Sequence, residues 1–262
     1  MGQINEDQWI ERLLAIVRMA GEAVLSIYRA GPGVVSHKAD QSPLTEADLA
    51  SHRILSTELA GLLPDCAVVS EECDASQSHR CGSGRFWLID PLDGTKEFIA
   101  RSGEFTVNVA LIENGRSVFG VVDAPAMDTI YWGGAGFGAW RRVGAETSCI
   151  RVAVDPAVSV CRVVASKSHL NDDTRAFIDR LGAVSLVQAG SSLKICRVAE
   201  GMADVYPRLS PTCEWDVAAA QAVLEGAGGA VLDLQGAPLR HGKADVLNPS
   251  FVAVRDAALM PR

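Results

Sequence analysis

The segment FWLIDPLDGT (residues 86–95) places two aspartates directly after a run of apolar residues. The apolar run is typical of a buried strand, and the proline after Asp90 predicts a turn because it fixes the backbone and removes a donor. Asp93 follows three residues later, so both carboxylates can face one point. Gly94 allows backbone to approach a ligand closely, and Thr95 opens a predicted helix whose first amides suit a phosphate. The segment therefore predicts a strand end that binds a hard cation such as Mg²⁺, with the carbonyl of the leucine between the two acids as a further ligand.

A simpler interpretation of this segment is an ordinary Asp-Gly turn in which Asp93 caps a helix. Other acids favour a functional interpretation. Glu71-Glu72 directly follow a second short apolar run, residues 67–70, and Asp216 stands beside Trp215 at the start of a predicted helix. Several carboxylates behind apolar strands repel one another unless cations hold them. We therefore expect a metal centre rather than a set of unrelated turns.

The composition restricts the class of protein. The chain has 262 residues, of which 48% are hydrophobic and 21% charged, as in an ordinary globular protein. The net charge of −8 argues against a protein that binds a nucleic-acid polymer, which requires a basic surface. The seven cysteines contain no C-x-x-C pair and the five histidines no zinc spacing, so we expect reduced thiols and no zinc.

No run of the sequence approaches about 20 apolar residues, so we expect no transmembrane segment. The N-terminus is acidic and polar and lacks the basic and apolar regions of a signal peptide. These features predict a cytoplasmic protein, with peripheral attachment to the cytoplasmic face of the inner membrane as an open alternative. We expect a monomer or a homodimer.

The hydrophobic pattern predicts a layered α+β architecture in which helices sandwich two sheets. A helix over residues 7–29 is predicted to end at Gly31-Pro32-Gly33, and a second is predicted to begin near Thr45 with Leu49 turned inward. The glycine-rich stretch 133–138 is predicted to be a hairpin turn. We divide the chain into an N-terminal half, 1–150, that binds metal and a C-terminal half, 151–262, that completes the site. The further predicted strands are 67–70, 86–89, 105–112, 118–123, 129–132, 161–165, 184–188, 203–206 and 230–233, and the further helices are 172–181, 191–200 and 216–226.

Residues 89–95, together with Glu71-Glu72 upstream and Trp215-Asp216 downstream, resemble the signature segments of the inositol monophosphatase superfamily of lithium-sensitive phosphatases. The resemblance covers essentially the whole chain and implies an αβαβα sandwich. More narrowly, the chain resembles the CysQ branch, the 3'(2'),5'-bisphosphate nucleotidases, which remove the 3'-phosphate from adenosine 3',5'-bisphosphate and have a place in sulfate assimilation. The segments that carry this narrower resemblance are 40–45, 94–99, 103–108, 190–194 and 206–208.

The resemblance implies two or three Mg²⁺ ions. Glu71, Asp90 and the carbonyl of Leu92 would bind the first ion, and a third, weaker ion would lie near Glu71. Asp90 would bridge to a second ion held also by Asp93 and Asp216.

The resemblance also implies that Thr95 and Asp48 orient or deprotonate the attacking water, with Glu72 nearby. Judged from the residues alone, Asp48 is equally well explained as an acid in the first turn of a helix, and Thr45 as a helix cap.

The expected substrate is a small bisphosphate nucleotide whose second phosphate needs cationic donors. Lys194 and Arg208 are the candidates for that phosphate, and Ser191 and His169 match positions near the nucleotide in the CysQ branch. Glu214 would add a negative charge beside the site. The scissile phosphate would lie among the residues already assigned to the metals and the turn, namely Glu71, Leu92, Asp93, Gly94, Thr95 and Asp216.

Three functions follow from this pattern. A bisphosphate nucleotidase is the first, and an inositol monophosphatase or broader sugar-phosphate phosphatase with the same catalytic centre is the second. The third is a regulatory protein that binds Mg²⁺ or a nucleotide without catalysis. It is disfavoured because no acid of the signature is missing and because a binder has no need of Thr95 beside Asp48.

Overall fold

The computed structural model describes residues 6–31, 35–37, 43–80, 84–154, 160–165 and 171–260. The predicted segment 40–45 is described only from Pro43, and Pro32, Gly33 and His169 lie outside the described residues. Within the described part of the chain, no helix is long and apolar enough to span a membrane. The helices are α1 (Glu6–Ala30), α2 (Glu46–Leu62), α3 (Thr95–Ile99), α4 (Asp172–Arg180), α5 (Leu193–Ala199) and α6 (Ala218–Gly226).

The larger sheet has seven strands that follow one another in sequence order. Its first two strands are parallel, and every later neighbour is antiparallel, as expected for strands joined by short hairpins. A two-stranded ribbon of β1 (Ser36–His37) and β2 (Pro43–Leu44) precedes it in the chain. The seven strands are β3 (Ala67–Ser70), β4 (Arg85–Asp93), β5 (Thr106–Glu113), β6 (Arg116–Ala124), β7 (Thr129–Gly134), β8 (Gly138–Val143) and β9 (Glu146–Cys149).

The smaller sheet has five strands in the order β11-β10-β12-β14-β13. Its parallel half is built by helical crossovers, and its antiparallel half by the last two strands of the chain. The strands are β10 (Cys161–Ala165), β11 (Val184–Gln188), β12 (Val205–Arg208), β13 (Ala230–Asp233) and β14 (Phe251–Val254).

Three apolar cores separate the layers and confirm the predicted α+β sandwich. The first lies between the larger sheet and helices α1 and α2, where Trp9 stacks on the buried Trp87. The second lies between the two sheets and contains α5 and α6. The third joins Phe177 of α4 to the outer face of the smaller sheet. The order of layers is therefore αβαβα, because each sheet buries both of its faces.

The structure corrects several local predictions. Strand β4 does not end at Asp90 but continues to Asp93 through a register irregularity, because Asp90 still pairs with Asn108 and Asp93 with Thr106. Leu49 is 38% exposed rather than turned inward. Strands β8, β9 and β14 were not predicted. The hairpin at 133–138 is confirmed between β7 and β8. The division at residue 150 stays a prediction.

Candidate active site

Three carboxylates from distant parts of the chain meet at one point. Glu71 follows β3 and Asp90 lies in β4, and the parallel pairing of Ser70 with Ile89 places these two acids side by side. Asp216 closes the 3₁₀ turn Glu214–Asp216, just before α6. One oxygen of each of the three carboxylates lies within 4.8 Å of the others. The sequence prediction that these acids converge is therefore realised in the fold.

The electrostatics of this acid cluster are unfavourable without a cation. Burial, and then the charges of Glu71, Asp93 and Asp216, raise the pKa of Asp90 well above its usual value. Burial, with the Asp93 and Glu71 charges opposing ionisation, raises the pKa of Asp216 to about 8. Three close carboxylates, two of them with raised pKa values, form an oxygen-rich set that suits a hard divalent cation. The residues present therefore fit the metal centre predicted from the sequence.

Asp93 stands beside the cluster and connects the two sheets. Its Oδ2 accepts a hydrogen bond from the Ser192 backbone N–H at 2.6 Å, and it lies 3.5 Å from both Thr106 Oγ1 and Asn108 Nδ2. Burial raises the pKa of Asp93 to about 6, and the Lys194 charge and the Ser192 amide limit that rise.

The backbone between the two aspartates is fixed by local hydrogen bonds. The Leu92 N–H donates to Asp90 Oδ1 at 3.0 Å, and the Leu92 carbonyl oxygen lies 3.3 Å from Thr95 Oγ1. Gly94 has φ of +88°, in the left-handed region that a residue with a side chain rarely adopts, and it precedes α3. These contacts fix the backbone between Asp90 and the start of α3, and the binding of metal by the Leu92 carbonyl stays a prediction.

Thr95 and Asp48 form the predicted pair. Thr95 Oγ1 lies 3.4 Å from Asp48 Oδ1, and Asp48 is buried at the start of α2. The other carboxylate oxygen of Asp48 accepts from the Thr45 hydroxyl at 2.6 Å and from its backbone N–H at 2.8 Å. Asp48 is thus the acid of a helix capping box and also lies beside Thr95, and its action on the attacking water stays a prediction.

Glu72 lies on the turn that carries Glu71. Its backbone N–H donates to Ser70 Oγ at 3.2 Å, and Ser70 Oγ lies 2.8 Å from Nδ1 of His52 on α2. His52 stands one helical turn after Asp48, so α2 supports both the Thr95 pair and the Glu71-Glu72 turn. The role of Glu72 in water activation stays a prediction.

Lys194, Arg208 and Ser191 line a pocket together with Asp93 and Asp216. The structure therefore brings the predicted phosphate-binding cations to the edge of the acid cluster. Lys194 Nζ lies 5.8 Å from the centroid of the Tyr206 ring, and Arg208 donates to the Pro211 carbonyl at 3.2 Å. The other lining residues are Ser192, Ile195, Tyr206, Thr212, Val217 and Phe251.

Glu214 is not an additional charge in the site. Its side chain is fully buried and its oxygens accept from Arg80 and from the Gly242 and Lys243 backbone N–H groups. The expectation that Glu214 adds charge beside the substrate is therefore wrong, because its carboxylate is neutralised by Arg80 and Lys243 within the protein.

Three polar residues around Asp93 were given no role by the sequence analysis. Ser192 Oγ lies 2.8 Å from both Thr106 Oγ1 and Asn108 Oδ1, so these side chains form one buried network. The sequence could have indicated a role for two of them. Thr106 and Asn108 are polar residues at alternate positions of an otherwise mostly apolar strand, and buried polar residues of this kind are informative. Ser192 has no such signal, since its contact depends on how the two halves pack.

Comparison with known proteins supports the same centre. The family model described as the inositol monophosphatase family matches residues 5–260. A curated relative from Escherichia coli (strain K12), the 3'(2'),5'-bisphosphate nucleotidase CysQ, is 43% identical over 92% of this chain and 98% of its own length. The crystal structure of CysQ from Bacteroides thetaiotaomicron is 39% identical, covers 94% of this chain and 97% of its own, and superposes with a TM-score of 0.83. An inositol monophosphatase from Anabaena (Nostoc) sp. shares the fold, at 22% identity over 96% of this chain and 91% of its own with a TM-score of 0.73.

Proposed function

The chain belongs to the inositol monophosphatase family, and we propose that it is a metal-dependent 3'(2'),5'-bisphosphate nucleotidase that removes the 3'-phosphate of adenosine 3',5'-bisphosphate. The observation that carries the proposal is the convergence of Glu71, Asp90 and Asp216 beside a pocket lined by Lys194 and Arg208. The CysQ name of relatives 43% identical over most of the chain supports the same substrate class.

We assign the metal as Mg²⁺, in two or three ions. Glu71, Asp90 and the Leu92 carbonyl would hold one ion, and Asp93 and Asp216 would share a second with Asp90. When bound, such ions supply positive charge that lowers the pKa of the attacking water and stabilises the leaving oxygen. The raised pKa values of Asp90 and Asp216 support this assignment, because added positive charge would favour the ionised form of both acids.

Thr95 and Asp48 would handle the proton of the attacking water. The Thr95 hydroxyl donates to Asp48 Oδ1, so its oxygen can accept a proton from water while its own proton moves toward the carboxylate. Asp48 is held by the Thr45 hydroxyl and N–H, which keeps one oxygen aimed at Thr95. Glu72 lies on the neighbouring turn and is proposed as a second polar contact for the water.

Lys194 and Arg208 would bind the phosphate that is not cleaved. Both cations act on the acid cluster: the Lys194 charge lowers the pKa of Asp93, and the Arg208 charge lowers that of Asp216. Because they line one pocket with Asp93 and Asp216, they would meet a second phosphate of a substrate whose first phosphate lies at the metals. Ser191, the amides of Gly94 and Thr95, and His169 complete the proposed substrate contacts.

The same centre would serve an inositol monophosphatase, so the substrate decides between the two activities. Phosphate release should be measured from adenosine 3',5'-bisphosphate and from inositol 1-phosphate, each with Mg²⁺ and with EDTA. We expect preference for the nucleotide, loss of activity in EDTA, and inhibition by lithium. Equal rates on both substrates would contradict the nucleotidase assignment, and full activity in EDTA would contradict the metal centre.

A further inference from the structure

A buried ion-pair network lies directly behind the proposed metal ligand Asp216. Its centre is Glu214, two residues earlier, whose side chain is fully buried. Glu214 Oε2 accepts from Arg80 Nη1 at 3.1 Å and from the Gly242 N–H at 2.8 Å. Its Oε1 accepts from the Lys243 N–H at 3.1 Å and pairs with the Lys243 ammonium group. Glu214 is therefore held by four donors from two other segments.

Arg80 connects this network to the segment that carries Glu71. It follows the 3₁₀ helix Asp74–His79, which begins three residues after Glu71. Its side chain is only 6% exposed, and its guanidinium also donates to the carbonyls of Lys243 at 3.1 Å and Ala244 at 3.4 Å. The guanidinium of Arg80 thus connects three segments: the one that follows Glu71, the loop 242–244, and the turn that precedes Asp216.

The loop that begins at Gly242 also holds the turn before Asp216, through hydrogen bonds to Cys213 and Glu214. The Glu214 N–H donates to the Val246 carbonyl at 3.0 Å, and Asn248 Nδ2 donates to the Cys213 carbonyl at 2.7 Å. Gly242 permits this course with φ of +78°, and a side chain there would approach the Arg80 carbonyl at 3.1 Å. Residues 213 and 214 are therefore clamped between Arg80 and the loop.

The orientation of the Asp216 carboxylate depends on this clamped turn. Asp216 Oδ2 accepts from the Cys213 N–H at 2.8 Å, and one oxygen of the same carboxylate lies within 4.8 Å of oxygens of Glu71 and Asp90. A buried ion pair contributes little net stability by comparison with apolar packing, because desolvation offsets its attraction. Groups that orient metal ligands, by contrast, strongly affect metal affinity.

We propose that Arg80, Glu214 and Lys243 are positioning residues that set the place of Asp216 relative to Glu71 and Asp90 and so tune the affinity for the divalent cation. The inference rests on the proposed metal-dependent function. It assigns to Glu214 a role through Asp216 rather than a contact with substrate.

The test compares Glu214→Gln with a matched variant, Asp204→Asn. Asp204 is also a buried carboxylate, 1% exposed, and it pairs with two arginines, Arg162 and Arg255. Titration calorimetry with Mn²⁺, in the absence of substrate, measures metal affinity directly. Thermal unfolding in EDTA measures the stability of each variant, and the Mg²⁺ dependence of kcat shows whether excess metal restores turnover.

Both variants should unfold at lower temperature than the wild type, but only Glu214→Gln should bind Mn²⁺ more weakly, by roughly 10- to 100-fold. High Mg²⁺ should then restore most of its kcat. Equal Mn²⁺ affinity in Glu214→Gln and the wild type overturns the inference, and so does equal weakening in Asp204→Asn. If Glu214→Gln does not fold, Lys243→Met takes its place, and unchanged affinity in that variant overturns the inference. Wild-type protein that does not bind Mn²⁺ overturns the proposed function itself.

Discussion

Thr95 Oγ1 lies 3.4 Å from Asp48 Oδ1, although the two residues are 47 positions apart in the chain. The contact exists because α2 and the short helix α3 both begin at the edge of the acid cluster. Asp48 is oriented from behind by Thr45, through two hydrogen bonds to its second oxygen. A hydroxyl beside a buried carboxylate and the carbonyl of Leu92, a proposed metal ligand, can transfer a proton from the attacking water.

Thr95→Ala should lower kcat by about 100- to 10,000-fold, the range expected for loss of a positioned proton-transfer group, with little change in KM. Thr95→Ser keeps the hydroxyl and should retain most of the activity. Steady-state kinetics at saturating Mg²⁺, with thermal unfolding to check the fold, would measure both. Similar kcat values for the alanine and serine variants would contradict a role for the hydroxyl.

Asp93→Asn should abolish turnover while leaving the fold largely intact. The asparagine keeps an oxygen that can accept from the Ser192 N–H, so the contact between the halves survives, but it removes the charge needed to bind a cation. Phosphate release and thermal unfolding should be measured on the same preparation. Wild-type turnover in this variant would contradict the proposal that Asp93 binds a metal ion required for catalysis.

Lys194→Ala should raise KM for adenosine 3',5'-bisphosphate by about 10- to 100-fold, as expected for the loss of one charged hydrogen bond worth about 1.5–3 kcal/mol. The matched control is a substrate: adenosine 3'-monophosphate lacks the second phosphate, so its KM should change little. A comparable rise in KM for both substrates would place Lys194 at the scissile phosphate rather than at the second one.

Asp123 should make stability depend on pH. Burial raises the pKa of Asp123 to about 7, a rise that the nearby Arg18 charge reduces. Because its pKa in the folded state exceeds that in the unfolded state, its contribution to stability is complete below pH of about 4 and is lost as pH rises through about 7. The whole loss is at most about 4 kcal/mol.

Urea unfolding at pH 5 and pH 8 tests this with Asp123→Asn, which cannot ionise. The wild type should lose more unfolding free energy between the two pH values than Asp123→Asn does. Asp128→Asn is the control, since Asp128 also pairs with Arg18 but its side chain is 69% exposed. Identical pH dependence in the wild type and Asp123→Asn would show that Asp123 does not titrate in this range.

The sequence predicted the elements that local pattern controls. Apolar periodicity located α1 and α2, and alternation located β5, β6 and β7, because both patterns record which side of an element is buried. Strands β8 and β9 escaped prediction because β9 is exposed throughout and β8 has one buried residue, so neither shows apolar alternation. Strand β14 is wholly buried and entirely apolar, so it shows no alternation of apolar and polar residues.

The identity of the acids in the cluster was likewise available from the sequence. Asp90 and Asp93 follow an apolar run within one segment, and Glu71 follows a second apolar run. Glu71, Asp90 and Asp93 can be recognised because each follows an apolar run, whereas Asp216 was recognised from its place beside Trp215 at the start of a predicted helix. The assignment of each to a particular ion stays a prediction.

Only the tertiary structure decided which groups form hydrogen bonds or ion pairs with these acids and with their neighbours. Ser192 donates to Asp93 across 99 positions, and Arg80 pairs with Glu214 across 134. The sequence suggested that Glu214 faces the site, and folding instead buried it against Arg80. Contacts of this kind depend on the packing of the two sheets, in which burial forces every charge to find a partner, and no local pattern records which partner that is.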